Sequence, residues 1–243
     1  MTDLPSPVAI PPRIATVLFD LDGTLSDPKV GITAGIRRAM ASVGRPLPPE
    51  TDLDWCIGPP LRGIFLKLTG EDALVEPAVA AYRAWYGEIG LFQNTVYPEI
   101  PALLAGLAAA GLRLVLATSK PRDYAERILE RFGLAEHFSA IHGAEFDGTR
   151  GVKTDLVPWI LARERISRET AVMVGDREHD VFGARAAGIA AVGVAWGFAH
   201  DGELVAAGAA EIVESVASLG RLLRARITGS SADPGSQGFG VRT

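Results

Sequence analysis

The chain has a single cysteine, Cys56, in 243 residues, so no disulfide can form within it. It has no apolar run near the about 18 residues that a membrane helix requires. It also lacks an excess of positive charge: the formal net charge is -5, which excludes a general electrostatic grip on nucleic acid polymers or acidic membranes. The start, MTDLPSPVAIPPR, has no basic n-region, apolar stretch or small-residue cleavage site, so a cytoplasmic location is expected. Histidine is scarce as well. His137, His142, His179 and His200 lie at spacings that match no metal motif. No internal repeat is present.

What remains is 48% hydrophobic and 22% charged, ordinary for a globular protein able to bury a core. Four of the sixteen prolines fall in residues 1–13, which reads as an extended lead-in. The stretch 227–243, rich in Gly and Ser with no apolar period, is expected to be disordered.

Between these ends, short apolar runs alternate with helical patterns. The runs are Ile14–Phe19, Leu112–Ala117, Phe138–His142, Ala171–Val174 and Ala190–Ala195. Unalternating runs rich in Val, Leu and Ile suit strands buried on both faces of a parallel sheet. A helix is expected from Pro98 to Ala110, ended by Gly111, and another from near Pro121 to Gly133. This alternation predicts an α/β protein with a doubly wound, Rossmann-like parallel sheet. Residues 27–96 break the rhythm, with helical patterns and no convincing strand. Ile32, Ile36, Ala39, Met40 and Val43 recur at helical spacing, as do Val79, Tyr82, Ala84, Trp85 and Ile89 more loosely. The expected division is a core domain over 1–26 and 97–226, with a small all-helical cap domain over 27–96 inserted after the first strand.

The polar residues that carry chemistry cluster after the ends of these strands, where ligands of open α/β sheets bind. Phe19-Asp20-Leu21-Asp22-Gly23-Thr24-Leu25 follows the first run. One of its aspartates can attack phosphorus while the other moves protons, and Gly23 permits close backbone approach to an anion. Thr118 and Ser119 sit where a hydroxyl can bind a phosphate oxygen or cap a helix. Lys153 could neutralise phosphate charge. Asp176 and Asp180, in Gly175-Asp176-Arg177-Glu178-His179-Asp180, supply hard oxygen ligands suited to Mg²⁺. Cys56 and the set Tyr82, Trp85 and Tyr86 read as packing, and Trp196-Gly197-Phe198 as pocket lining or loop anchoring.

These four groups, in this order, resemble the haloacid dehalogenase superfamily on its phosphatase branch. The strings Asp27-Pro28, Gly31-Ile32 and Ile57-Gly58-Pro59-Pro60-Leu61 further resemble the phosphoglycolate phosphatase and bacterial 5'-nucleotidase branch. The resemblance implies a Mg²⁺-dependent phosphatase that forms an aspartyl-phosphate. Asp20 would be the nucleophile, Asp22 the general acid/base and Lys153 the charge stabiliser. Gly23, Thr118 and Ser119 would bind phosphate. Asp20, Asp22 through its backbone carbonyl, Asp176 and Asp180 would surround the metal. Arg62, beside the Gly58-Pro59-Pro60 loop, is the cap residue placed to meet substrate charge. The substrate would be a small phosphomonoester of the phosphoglycolate or nucleoside monophosphate type, and the protein a monomer or homodimer. Two alternatives share the motifs: a sugar-phosphate mutase using the same intermediate, and a catalytically silent regulatory protein. A dehalogenase is disfavoured by the complete Asp22-Gly23-Thr24 motif, and a kinase-like phosphotransferase by the lack of a Gly-rich nucleotide loop.

Overall fold

The computed structural model of the protein describes residues 7–227. The lead-in forms neither helix nor strand over residues 7–13, and the tail expected beyond residue 227 lies outside the described residues.

The Val- and Leu-rich runs form a six-stranded parallel sheet. Strand β1 (Thr16–Phe19) lies at its centre, between β4 (Arg113–Pro121) and β6 (Ala171–Gly175). Outside these lie β5 (Ala140–Ala144) on one side, and β7 (Ala190–Val194) and β8 (Glu211–Val213) on the other. Successive strand residues face opposite sides. Val17, Phe19, Leu114, Leu116, Val172 and Val174 pack into one buried cluster, and Leu18, Val115, Ala117, Ala171 and Met173 into another. The first side is covered by α4 (Ile100–Ala109), α5 (Arg122–Arg131) and α9 (Val216–Arg224). The second is covered by α6 (Lys153–Glu164), α7 (Glu178–Ala187) and α8 (Glu203–Ala207). Burial on both faces is why the strands carry no polar alternation. This is the doubly wound, Rossmann-like α/β class.

Three differences from the sequence expectation bear on the site. First, β4 runs past Ala117 to Pro121, with its register shifting against β5 between those residues. Second, β8 is three residues long, too short to show a pattern. Third, residues 27–96 are not free of strand. Ser26–Asp27 (β2) pairs antiparallel with Thr95–Val96 (β3), so the chain leaves and re-enters through a two-residue ladder.

Between β2 and β3 come α1 (Lys29–Ser42), α2 (Leu61–Thr69) and α3 (Asp72–Tyr86). Helix α3 packs against both others. Its buried face is Val75, Ala78, Val79, Tyr82 and Tyr86, at helical spacing. Ala84 and Ile89, expected on that face, are exposed. Gly35 of α1 admits the Tyr82 ring, since a Cβ there would stand 2.7 Å from it. Among the described residues, no helix is long and apolar enough to cross a membrane.

Candidate active site

The strand ends bring three of the four sequence groups together. Asp20 directly follows β1, and its backbone N–H donates to the Val174 carbonyl of β6 (2.9 Å). The chain then doubles back: the N–H of Leu25 donates to the Leu21 carbonyl (2.9 Å). Gly23 adopts φ +83°, and a Cβ there would lie 2.1 Å from Asp176 Oδ2. Neither the conformation nor the space allows a side chain.

Asp176 follows β6 and is fully buried. Thr24 Oγ1 donates to its Oδ1 (3.3 Å) and the Phe198 N–H to its Oδ2 (2.8 Å). A Cβ on Gly197 would stand 2.3 Å from the Asp176 Cβ, and Trp196 Nε1 donates to the Thr24 carbonyl (3.2 Å). Trp196-Gly197-Phe198 therefore anchors the acidic loop. Asp180 lies in the first turn of α7, where its Oδ2 accepts from the Arg177 N–H (3.2 Å). It is a helix-capping acid and a site acid at once.

Lys153, at the start of α6, is only 3% exposed. Its Nζ donates to Asp180 Oδ1 (2.5 Å) and to the Ala117 carbonyl (2.7 Å). It also lies 2.9 Å from Asp20 Oδ1, near enough for an ion pair but not aligned as a hydrogen bond, so that buried oxygen lacks a donor. Burial opposes the Lys153 charge, but Asp180 and Asp20 outweigh it and hold the pKa above its ordinary value.

Asp20, Asp176 and Asp180 offer carboxylate oxygens that all lie within 4.8 Å of one another. Burial, then mutual repulsion with Asp180 and Asp20, pushes Asp176 well above the usual carboxylate range. Burial likewise pushes Asp180 up to about 6, against the pull of Lys153 and with Asp20 adding to it. Three carboxylates face one ammonium, so ionisation of all three would leave two negative charges unbalanced. An all-oxygen donor set, an orphaned Asp20 oxygen and that charge deficit fit a hard divalent cation such as Mg²⁺.

Asp22 is paired differently. Its Oδ2 lies 2.8 Å from Lys120 Nζ, while its Oδ1 is buried and has no donor. Burial raises its pKa, Lys120 works against the rise and Asp20 adds to it. Lys120 Nζ also donates to Tyr86 OH of α3 (2.7 Å). This Lys120–Tyr86 contact was not foreseen. In the sequence Tyr86 reads only as packing and Lys120 has no assigned role; Lys120 lies on β4.

Thr118 is buried, and its Oγ1 accepts from the Lys120 N–H (3.2 Å). It does not cap α5, whose first turn has no side-chain cap. Ser119 lines a cavity of about 380 Å³ that Asp22 and Lys120 also line. Arg62 stands apart from the aspartates. It is exposed on α2 in an ion pair with Glu76, and it shares only this cavity with Asp22. Arg177, unassigned in the sequence, bridges two regions: Nη1 donates to the Ile57 carbonyl (2.7 Å) and Nε to Glu203 Oε1 (2.8 Å). Burial pushes the Cys56 thiol up to about 12, leaving it a packing residue. His179 is half-buried and joins no ligand cluster among the described residues.

Comparison with known proteins agrees with this geometry. The family model for haloacid dehalogenase-like hydrolases matches residues 17–194. A 5'-nucleotidase of Pseudomonas aeruginosa is 42% identical over 193 residues, 79% of this chain and 87% of that protein. The tyrosine-protein kinase PtkA of Mycobacterium tuberculosis is 45% identical over 182 residues, 75% of this chain but 62% of that longer protein. The crystal structure of a predicted phosphatase from Clostridium acetobutylicum superposes with a TM-score of 0.84 at 37% identity, covering 87% of this chain and 99% of that one. The chain therefore belongs to the haloacid dehalogenase-like hydrolase family and is an enzyme of its phosphatase branch.

Proposed function

We propose that the protein is a Mg²⁺-dependent phosphatase that hydrolyses small soluble phosphomonoesters through an aspartyl-phosphate on Asp20. The observation that carries this reading is the placement of Asp20. It sits at the carboxyl end of the central strand, one oxygen beside Lys153 and without a hydrogen-bond donor, within a cluster of three acids. Asp20, Asp176 and Asp180, with the Asp22 backbone carbonyl, would hold Mg²⁺. The ion would supply charge neutralisation at the phosphoryl oxygens.

The protein's own residues then divide the work. Asp20 attacks phosphorus, and the bond from phosphorus to the ester oxygen breaks. Asp22, whose raised pKa suits a proton donor, protonates the departing oxygen. Asp22, now ionised, takes a proton from water as that water attacks the aspartyl-phosphate, which regenerates Asp20 and releases phosphate. Lys153 fixes Asp20 and Asp180 and offsets the charge developing between them. Gly23, Thr118 and Ser119 hold phosphoryl oxygens. Residues 1–26 and 97–226 act as the catalytic core, and residues 27–96 as a cap that excludes bulk water.

The test is phosphate release from phosphomonoesters with Mg²⁺, by wild type and two variants. Asp20→Asn should fold and lose at least about 10⁴-fold in kcat on every ester, because an amide forms no acyl-phosphate. Asp22→Asn should lose less on an activated aryl phosphate than on an alkyl phosphate, since a good leaving group needs little protonation. Substantial turnover by Asp20→Asn free of deamidation would refute the nucleophile.

A further inference from the structure

Asp22 meets Lys120 at the carboxyl edge of the sheet, and the Lys120 side chain has a second partner. Its Nζ lies 2.8 Å from Asp22 Oδ2 and donates to the Tyr86 hydroxyl (2.7 Å). All three residues are buried: Asp22 and Lys120 are 8% exposed and Tyr86 1%. The other anchors of Lys120 act on its backbone. Its N–H donates to Thr118 Oγ1 (3.2 Å), and its carbonyl packs on Gly143, where a Cβ would stand 2.5 Å away. Beyond these anchors the four-carbon stem is flexible, so the place of the ammonium is set at its tip.

An ammonium donates hydrogen bonds and accepts none. Oδ2, the Asp22 oxygen that faces it, is therefore the oxygen that carries no proton. Oδ1 is buried and has no donor. If Asp22 protonates the departing oxygen, as proposed above, its proton sits on Oδ1, and Lys120 sets the direction in which that proton points. Without this anchor the carboxyl group turns about its terminal bond, whose torsion is broad.

Tyr86, the last residue of α3, reaches Lys120 from a firm seat. The end of that helix rests against α5 and the loop after β5. Arg83 donates to the Phe146 carbonyl (2.7 Å), and the Tyr124 hydroxyl donates to the Arg83 carbonyl (3.3 Å). Gly87 leaves the space that the Tyr124 hydroxyl fills, since a Cβ there would lie 2.8 Å from it. Tyr82 stacks on the Tyr86 ring at 4.9 Å and fixes its plane.

We propose that Lys120 is a positioning residue for the proton transfer and that Tyr86 sets it. With α3 seated, the Tyr86 hydroxyl holds the Lys120 ammonium against Asp22 Oδ2, which aims the proton on Oδ1 at the leaving oxygen. That proton passes to the ester oxygen as its bond to phosphorus breaks. The carboxylate left behind is paired with Lys120, and neither Lys120 nor Tyr86 gains or loses a proton. Asp22, Lys120 and Tyr86 line the cavity of about 380 Å³ together with Leu61 and Val79, so the departing group enters it against the helices. Help with bond-breaking then comes only with the helices in place.

The experiment compares kcat/KM for ribose 5-phosphate, whose leaving group needs a proton, and p-nitrophenyl phosphate, whose leaving group needs little, with Mg²⁺ throughout. This quantity reports the steps up to the first phosphoryl transfer, so the later attack by water does not mask the result. Tyr86→Phe deletes one oxygen and keeps the ring. It should cost about tenfold on ribose 5-phosphate and about twofold on p-nitrophenyl phosphate. Lys120→Met should widen the difference to about 100-fold against about fivefold. In an Asp22→Asn background no carboxyl proton remains to be aimed, so adding Tyr86→Phe should cost less than about twofold on either ester. No loss in Tyr86→Phe, an equal loss on the two esters, or an undiminished loss in the Asp22→Asn background would overturn the positioning role. If Lys120→Met does not fold, Tyr86→Phe decides alone. An equal loss on both esters in Asp22→Asn itself would instead sink the acid reading on which this role rests, and no turnover of either ester by wild type would sink the phosphatase.

Discussion

The carboxyl edge of the sheet and the helices of residues 29–92 handle charge in opposite ways. At the sheet edge, ionisable groups are buried and each is held from more than one side. Lys153 touches Asp20, Asp180 and the Ala117 carbonyl, and Asp176 accepts from Thr24 and Phe198. Among the helices, the ion pairs Lys29–Asp54, Arg45–Glu71 and Arg62–Glu76 are solvent-exposed. Exposed pairs contribute little, while a buried charge left without its partner is costly. What the helices bury is apolar: aliphatic Ile36, Met40, Ile64 and Val79 beside aromatic Phe65, Tyr82 and Tyr86. Under the proposed function, bond-breaking would fall to the sheet edge and recognition to the helices. Contacts that join them include Lys120 with Tyr86, the Tyr124 hydroxyl with the Arg83 carbonyl, Arg177 with the Ile57 carbonyl, and Arg83 with the Phe146 carbonyl.

The largest test of this contrast is removal of the metal. Thorough chelation should lower turnover at least about 100-fold on every ester, and Mg²⁺ should restore it. Stability should respond with a definite sign. Asp180 titrates at about 6 in the fold, above its ordinary 3.8. Its stabilising contribution is therefore complete below pH 3.8 and lost as pH rises through about 6. Cation binding should relieve that loss, so Mg²⁺ should raise Tm more at pH 7.5 than at pH 5. Equal Tm gains at the two pH values would contradict a site in which cation and protons compete for the same acids.

Cutting a link between the two regions should matter less. Arg177→Ala removes the grip on the Ile57 carbonyl and the hydrogen bond to Glu203. It should cost between about 10- and 100-fold in kcat/KM. The greater part should fall on KM for esters with large leaving groups, because the helices no longer hold their place over the cavity. A loss of equal size in kcat on every ester, small ones included, would mean that Arg177 supports only the acidic loop. The smallest effect is expected at Arg62. Arg62→Ala breaks one exposed pair and should shift the ranking among anionic esters by less than about fivefold, read from kcat/KM.

The sequence made the sheet legible because strands buried on two faces leave unbroken Val and Leu runs; β1 ends where its run does and β6 one residue beyond. It made the acids legible because Asp20, Asp22 and Asp176 lie within three residues of those runs and Asp180 one helical turn beyond. Lys153 was uninformative alone and gained meaning only beside the acids. Other features left no local trace. Thr118-Ser119-Lys120-Pro121 has turn chemistry but continues β4, held by its parallel neighbour. Lys120 and Tyr86 are 34 residues apart, and Arg177 and Ile57 are 120 apart, so no spacing could show that they meet. The acceptor-free Arg83 Nε is likewise a fact of three-dimensional packing. Ala84 and Ile89 misled because a loose helical period admits neighbours of the true face.

The two-residue ladder of β2 and β3 has a consequence for descent. Because Ser26 pairs with Val96 and Asp27 with Thr95, the intervening chain departs and returns at one place, like a bead hung from a single knot. Lengthening or shortening such an excursion changes its closure entropy only logarithmically, and the ladder already sets the distance between its ends. Insertions, deletions or wholesale exchange between Pro28 and Asn94 would leave the strand order untouched. If those residues select the substrate, as proposed, recognition could change without moving the acids on the sheet.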